Sequence, residues 1–249
     1  MSILVDKFEN AVLRTEKERN KKRDPARLSI SSLGKCVRQL TYRALGHRER
    51  GMDGRSALTL AVGTAMHTYL RRAFKKRFRR SKTVRIEGFP KEIETSVVVG
   101  GHKIEGHIDG KVWIGGKAYL LELKTMSDWA YRDFVRYDVL DYSYVIQTLA
   151  YMEGTGLHTA IVIGVNKNTG EMKEFFIDFE ASKKTWLDRK AFLDRHIQSP
   201  DLATAPKEYG PDDKSMKLPW QCGYCPFVLE CWADRKPKEE SRNKFILTS

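Results

Sequence analysis

Between residues 57 and 80 apolar side chains return at every fourth position, as Met66, Leu70, Phe74 and Phe78. Arg71, Arg72, Lys75, Lys76 and Arg79 lie outside that series. That period predicts a long helix with one apolar stripe and a basic remainder. Residues 3–23 also read as helical, with Leu4, Phe8 and Val12 on one side and Pro25 as the stop. In LSISSLGKCVRQLTYRALG (28–46), Ser31 or Ser32 is expected to cap a short helix carrying Cys36, Leu40 and Ala44. A different pattern follows, predicting strands at 84–89, 93–99, 103–114 and 118–124, with glycine pairs at 100–101 and 115–116 as tight turns. Helical spacing returns at 127–135 and 142–153, a hairpin is expected over 158–166 and 171–179, and a helix near 181–197. The tail from 198 reads as loop. This order predicts an α/β fold with a mixed central sheet flanked by helices.

Within that pattern, AYLLELKTMS (118–127) sets a polar pair into an apolar strand. Glu122 and Lys124 stand two apart and share a face. If Gly115 and Gly116 form a two-residue turn, Ile114 faces Lys117, and the same register sets Asp109 opposite Glu122. Directly opposed side chains have Cβ atoms about 4.5–5.5 Å apart, so two carboxylates there repel unless a cation lies between them. Oxygen ligands of this kind suit Mg²⁺ or Mn²⁺. An ion pair on an amphipathic strand is the competing reading of E-x-K.

Composition narrows the partners. The 249 residues carry a formal charge of +13. Residues 1–83 hold 22 Lys and Arg against 7 Asp and Glu, whereas residues 84–249 hold 23 against 25. The whole excess therefore lies in the first third, densest in RRAFKKRFRR (71–80), and favours a nucleic-acid partner over a merely solvated helix face. An apolar run of about 18 residues, as a membrane span needs, is absent, and the start MSILVDKFEN lacks a secretory h-region, so a cytoplasmic protein is expected. The chain has no G-x-x-x-x-G-K-[ST] phosphate loop and hence no motor signature. Trp129, Tyr131 and Phe134 are candidates for stacking on single-stranded bases or for core.

The four cysteines are Cys36, Cys222, Cys225 and Cys231, the last three spaced C-x2-C-x5-C. Disulfides are not expected in the cytoplasm. Four thiolates match the ligand count of a zinc ion and of an iron–sulfur cluster alike.

His67 on the long helix, Asp109, the Glu122–Lys124 strand, and Gln147 with Tyr151 (Q-x-x-x-Y) follow one another in the chain. This series resembles the PD-(D/E)XK nuclease superfamily, in particular its RecB-like branch, over about residues 57–155. Ile108 stands where the name motif has proline. The resemblance implies a restriction-endonuclease-like fold and a metal held by His67, Asp109, Glu122 and the carbonyl of Leu123. It implies a catalytic role for Lys124, and roles in positioning DNA and the site for Gln147 and Tyr151. Adding Cys36 and the cysteine tail, the chain resembles the iron–sulfur nucleases, among them the fourth CRISPR-associated protein family and AddB-type domains, over about residues 29–232. That implies a 4Fe-4S cluster, with structural zinc the alternative, joining segments 28–46 and 198–235 to a catalytic core at 57–180 within one domain.

The expected function is a metal-dependent DNA exonuclease acting on ends with single-stranded character, with Arg71, Arg72, Lys75 and Lys76 on the DNA. Repair or recombination (in a host cytoplasm if viral) and CRISPR spacer processing are its two candidate settings. A homo-oligomer or an adaptation partner is compatible with either. A non-catalytic DNA-binding protein with a structural metal is the alternative.

Overall fold

The computed structural model of the protein describes residues 3–20, 24, 26–88 and 91–248. The expected stop at Pro25, the helical reading of 21–23 and the strand reading of Phe89 lie outside these residues. The helices are α1 (Ile3–Asn20), α2 (Val37–Ala44), α3 (Gly54–Phe78), α4 (Asp128–Tyr137), α5 (Tyr142–Thr155), α6 (Phe179–Ile197), α7 (Trp220–Gly223) and α8 (Val228–Cys231). The strands are β1 (Val84–Glu87), β2 (Ile93–Val99), β3 (His102–Ile108), β4 (Gly110–Ile114), β5 (Lys117–Met126), β6 (Thr159–Asn166), β7 (Met172–Asp178), β8 (Pro237–Ser241) and β9 (Lys244–Leu247).

The central sheet runs β1-β4-β5-β6-β7, with β5 and β6 parallel and the other neighbours antiparallel. It is the mixed sheet expected from the sequence. Ile114 pairs with Lys117, as the two-glycine turn requires, because Gly115 and Gly116 both take the positive φ of a tight hairpin (57° and 82°). The predicted strand 103–114 is broken in two, however. Strand β3 pairs with β2 in a separate two-stranded ribbon, β4 joins the central sheet, and Asp109 occupies the bend between them. Gly88, just past β1, packs against the residue that follows the bend: a Cβ at Gly88 would stand 2.9 Å from the Gly110 Cα.

Alternation along β5 sorts its residues to two faces. Leu121 and Leu123 pack with Val112, Ile161 and Leu70 beneath α3, where Met66 and Phe74 of the predicted stripe also lie. Leu120 joins the larger core under α5 and α6, with Ile146, Leu149, Val162 and Trp186. Glu122 and Lys124 thus belong to the α5 side.

Leu4 and Phe8, on one side of α1 as read from the sequence, are exposed, although α1 runs beside α3. Two local expectations fail. Neither Ser31 nor Ser32 caps α2: Ser29 and Ser32 box a 3-10 turn, and the N-cap position is Cys36. The free N–H of Val37 in the first turn is instead taken by Glu208, far along the chain, a carboxylate suited to a helix N-terminus. The tail is also less irregular than expected, since α7, α8 and the β8–β9 hairpin form there around Phe245, Leu247 and Trp232.

Candidate active site

The site lies where β5 runs past the end of β4. Beyond Leu121 the β4 pairing stops, and the next N–H on that edge, from Leu123, donates to Asp109 Oδ2 at 2.8 Å. The Asp109 side chain therefore completes a sheet edge that backbone leaves open. In an extended strand a residue's N–H and C=O point to the same edge, so the Leu123 carbonyl faces this gap too.

Asp109 and Glu122 are both buried, at 6% and 4% exposure, which is costly for carboxylates without compensation. Glu122 Oε1 has two partners, Lys124 Nζ at 2.8 Å and Gln147 Nε2 at 3.2 Å. Its other oxygen, Oε2, is buried with no hydrogen-bond partner. Burial above all, reinforced by the charge of Asp109, pushes the Glu122 carboxyl up to about 7 against the pull of Lys124. Asp109 also meets burial as its largest influence, but the His67 ring and the Leu123 N–H outweigh it and hold the carboxyl below its ordinary range. Two neighbouring acids are thus driven apart, one lowered and one raised.

Helix α5 locks the lysine. Gln147 Oε1 accepts from Lys124 Nζ at 2.8 Å, and Gln147 Nε2 lies 3.3 Å from Tyr151 Oη, one turn further on. The Tyr151 ring fits because β3 has glycine opposite, where a Cβ at Gly106 would stand 2.8 Å from the ring. Burial raises the Tyr151 hydroxyl far above its ordinary range, so it stays protonated. Lys124 Nζ also sits 4.6 Å from the centre of the Tyr144 ring.

From the opposite side α3 supplies His67, whose Nδ1 is 3.7 Å from Asp109 Oδ1. Gly63, one turn earlier, lets the helix cross close to β5, since a Cβ there would meet Thr125 Oγ1 at 3.3 Å. The six side chains singled out in the sequence fall into two sets, His67 with Asp109 and Glu122 with Lys124, Gln147 and Tyr151, joined by the bond from the Leu123 N–H to Asp109. Arg71 was expected among exposed DNA contacts and instead points inward, with Nη1 3.6 Å from Asp109 Oδ1. Arg72, Lys75 and Lys76 are exposed as expected. The pairing of Tyr144 with Lys124 had no signal in the sequence beyond its place one turn before Gln147–Tyr151. Of the three aromatic residues considered for stacking, Tyr131 and Phe134 are core, and Trp129 is exposed.

One observation suits a metal here: Glu122 Oε2 is buried without a hydrogen-bond partner, an oxygen that a cation would satisfy as a proton would. Among the described residues, no three His, Cys, Asp or Glu side chains stand close enough to hold a single ion.

The cysteines form a second cluster. Cys36, Cys222, Cys225 and Cys231 all line one cavity of about 190 Å³, together with Tyr42 and Trp232. All four are free thiols. Burial pushes Cys222 up to about 11 and Cys225 up to about 12. The segments bearing them are tied by hydrogen bonds. Buried Arg189 donates to the carbonyls of Leu33 and Lys35 and pairs with Glu208 at 2.6 Å, while Glu208 also caps α2. Arg38 reaches the carbonyls of Leu202 and Ala205 at 2.6 and 2.7 Å.

No family model matches the chain, and no curated protein does. Among solved structures it is similar to SSO0001, with a TM-score of 0.54 at 20% identity, over 92% of this chain and 96% of that one. It is also similar to an alkaline exonuclease, LHK-Exo from Laribacter hongkongensis, with a TM-score of 0.45 at 14% identity, over 71% and 90% of the two chains. LHK-Exo in complex with dAMP gives 0.43 at 17% identity, over 70% and 91%. The likeness to SSO0001 extends over nearly the whole of both chains and is one of fold. Among the described residues no helix is long and apolar enough to cross a membrane.

Proposed function

We propose that the chain is a metal-dependent DNA exonuclease with its centre at Asp109, Glu122 and Lys124. The observation that carries this reading is the unpartnered Glu122 Oε2, buried beside Asp109 and within reach of Lys124 on the same carboxylate. Asp109, Glu122, His67 and the Leu123 carbonyl would hold Mg²⁺ or Mn²⁺, the side chains drawing closer about the ion than they stand without it. Such an ion supplies Lewis acidity toward a phosphate oxygen and toward the attacking water.

The protein's own groups do the rest. Lys124, fixed between Glu122 and Gln147, presents a positive charge where a water or a departing oxygen develops negative charge. Gln147 and Tyr151 hold that lysine in place. The exposed cations of α3, Arg72, Lys75 and Lys76, track a phosphate backbone. Trp129, exposed on α4 just past the end of β5, offers a face for an unpaired base.

For the cysteines the reading is a 4Fe-4S cluster. Its support is that Cys36, Cys222, Cys225 and Cys231, from two distant segments, all line one cavity of about 190 Å³. A structural zinc is the alternative. Processing of DNA ends in recombination or repair, or of CRISPR spacer precursors, is the setting this chemistry suits, in the cytoplasm and within one domain.

Linear end-labelled DNA and a covalently closed circle, each incubated with Mg²⁺ or Mn²⁺, test the reading. Release of nucleotides from the linear DNA with the circle spared is expected. Intact linear DNA under every metal would sink it, and a non-catalytic DNA-binding protein would take its place.

A further inference from the structure

Helix α3 carries a dense run of cations, and one of them behaves unlike the rest. Arg72, Lys75, Lys76 and Arg77 are exposed, whereas the Arg71 side chain is only 11% exposed. Its Nη1 lies 2.6 Å from Glu92 Oε1 and 3.6 Å from Asp109 Oδ1. The same Asp109 oxygen faces His67 Nδ1, one helical turn earlier. The Nε of Arg71 is buried without a hydrogen-bond partner.

Each of these facts bears on what the guanidinium is for. An arginine serving only to brace a carboxylate normally sets its planar fork against both oxygens. Here a single nitrogen contacts two different acids, one held in the buried centre and one half-exposed at the rim. Part of the fork is left for another acceptor. A tetrahedral phosphate brings several oxygens and a negative charge, and matches it. A divalent cation arriving at Asp109 would repel the guanidinium, whose remaining tie to Glu92 lets it turn without leaving the site.

We propose that Arg71 is a displaceable counter-ion of the acid site: it neutralises Asp109 until a divalent cation binds, and then takes the scissile phosphate. The inference rests on the nuclease reading above and assigns a role within that same centre. Its consequence has opposite signs for two measurements. Removing the charge strengthens metal binding, because a competing cation is gone. It weakens cleavage, because a phosphate contact is gone. A residue that merely supports the fold would weaken both.

The experiment measures Mn²⁺ binding to the full-length protein without DNA, from the electron paramagnetic resonance signal of free Mn²⁺, and cleavage separately at saturating Mn²⁺ and DNA. Arg71→Gln is expected to bind Mn²⁺ about tenfold more tightly, as follows from removing one like charge beside the ion. Its cleavage is expected to fall by about 100-fold or more, the loss of one preorganised phosphate donor. Arg71→Lys keeps the charge and loses the fork, so Mn²⁺ affinity should stay within about twofold while cleavage falls. Unchanged or weaker Mn²⁺ binding in Arg71→Gln, or full cleavage in either variant, overturns the proposal. If Arg71→Gln does not fold, Arg71→Lys decides: affinity kept with cleavage lost supports it, and both lost overturns it. Glu122→Ala separates the two levels. If it binds Mn²⁺ as the wild type does, the ion is held elsewhere, and the reading of the centre falls along with the role of Arg71.

Discussion

Asp109 Oδ2 takes the Leu123 N–H at 2.8 Å, so a side chain in a bend does the work of the strand that β4 fails to continue. This one bond fixes where the acid stands relative to Glu122, the next residue back along β5. It also leaves Asp109 Oδ1 free to face His67 and Arg71. The centre is therefore built at a sheet edge, where a backbone ladder ends and side chains take over its hydrogen bonds.

Gln147 is the joint between α5 and β5, bonded to Lys124, Glu122 and Tyr151 together. Gln147→Ala should release the lysine and lower kcat about 100-fold, the scale of a misplacement of roughly 1 Å. KM for DNA should change little, because Gln147 is buried. Steady-state kinetics on a labelled oligonucleotide separates the two constants, and a change confined to KM would reassign the residue to DNA binding.

Arg72, Lys75 and Lys76 are exposed on α3 and make the outer basic stripe. Replacing all three by Gln should flatten the dependence of log affinity on log salt by about 0.9 for each phosphate contact removed. Cleavage at saturating DNA should persist. Fluorescence anisotropy across a salt series checks this, and an unaltered slope would mean that DNA lies along another face.

Arg189 ties the turn carrying Cys36 to Glu208 of the tail, and it is 4% exposed. Arg189→Met leaves Glu208 without its partner and should cost about 3 kcal/mol, as breaking a buried pair does. Protein purified without oxygen should contain about four irons per chain, and Cys36→Ala should lose them. Iron and zinc analysis with urea melts reads all of this. One zinc and no iron would support the zinc alternative, and metal content unaffected by Cys36→Ala would leave the tail cysteines with a site of their own.

Asp53 caps α3 through the Ser56 N–H at 2.6 Å and pairs with Arg242 of the β8–β9 turn. The Arg242 hydrogen bonds, then the cap, lower its carboxyl to about 2. A carboxyl depressed in the folded state stabilises above its unfolded value near 3.8 and loses that contribution as pH falls toward 2. The pair is half-exposed, so solvent screening limits the gain to about 1 kcal/mol or less. Wild type should therefore exceed Asp53→Asn in urea melts at pH 5, with the gap closing by about pH 2. Because Asn caps as well as Asp, a gap that does not depend on pH would contradict a contribution from the Asp53 charge.

Much of this centre could be read in the chain because it is locally encoded. The glycine pair at 115–116 sets the β4–β5 register, the two-residue period sets Glu122 and Lys124 on one face, and helical spacing sets Gln147 beside Tyr151. Other features depend on partners distant in sequence. The break at Asp109 comes from β3 pairing with β2 instead of joining the central sheet. Arg71 looks like its basic neighbours in a helical period, and only the acids brought from Glu92 and Asp109 distinguish it. Glu208 caps α2 from 171 positions away, which a local search for serine caps does not detect. The apolar side of α1 has the period of a packed helix, yet Leu4 and Phe8 are exposed.

If Glu122 holds the metal and the basic stripe holds the DNA, cleavage and affinity should separate when Glu122 loses its charge. The most direct test is single-turnover cleavage of end-labelled linear DNA by Glu122→Gln, alongside its DNA affinity by anisotropy in the same buffer with Mn²⁺. Glutamine keeps the size of the side chain and removes the charge. The account predicts that cleavage falls by about 1,000-fold or more, the scale of removing a group that stabilises the transition state, while the Kd for DNA stays within about threefold. Cleavage at the wild-type rate by Glu122→Gln would contradict it.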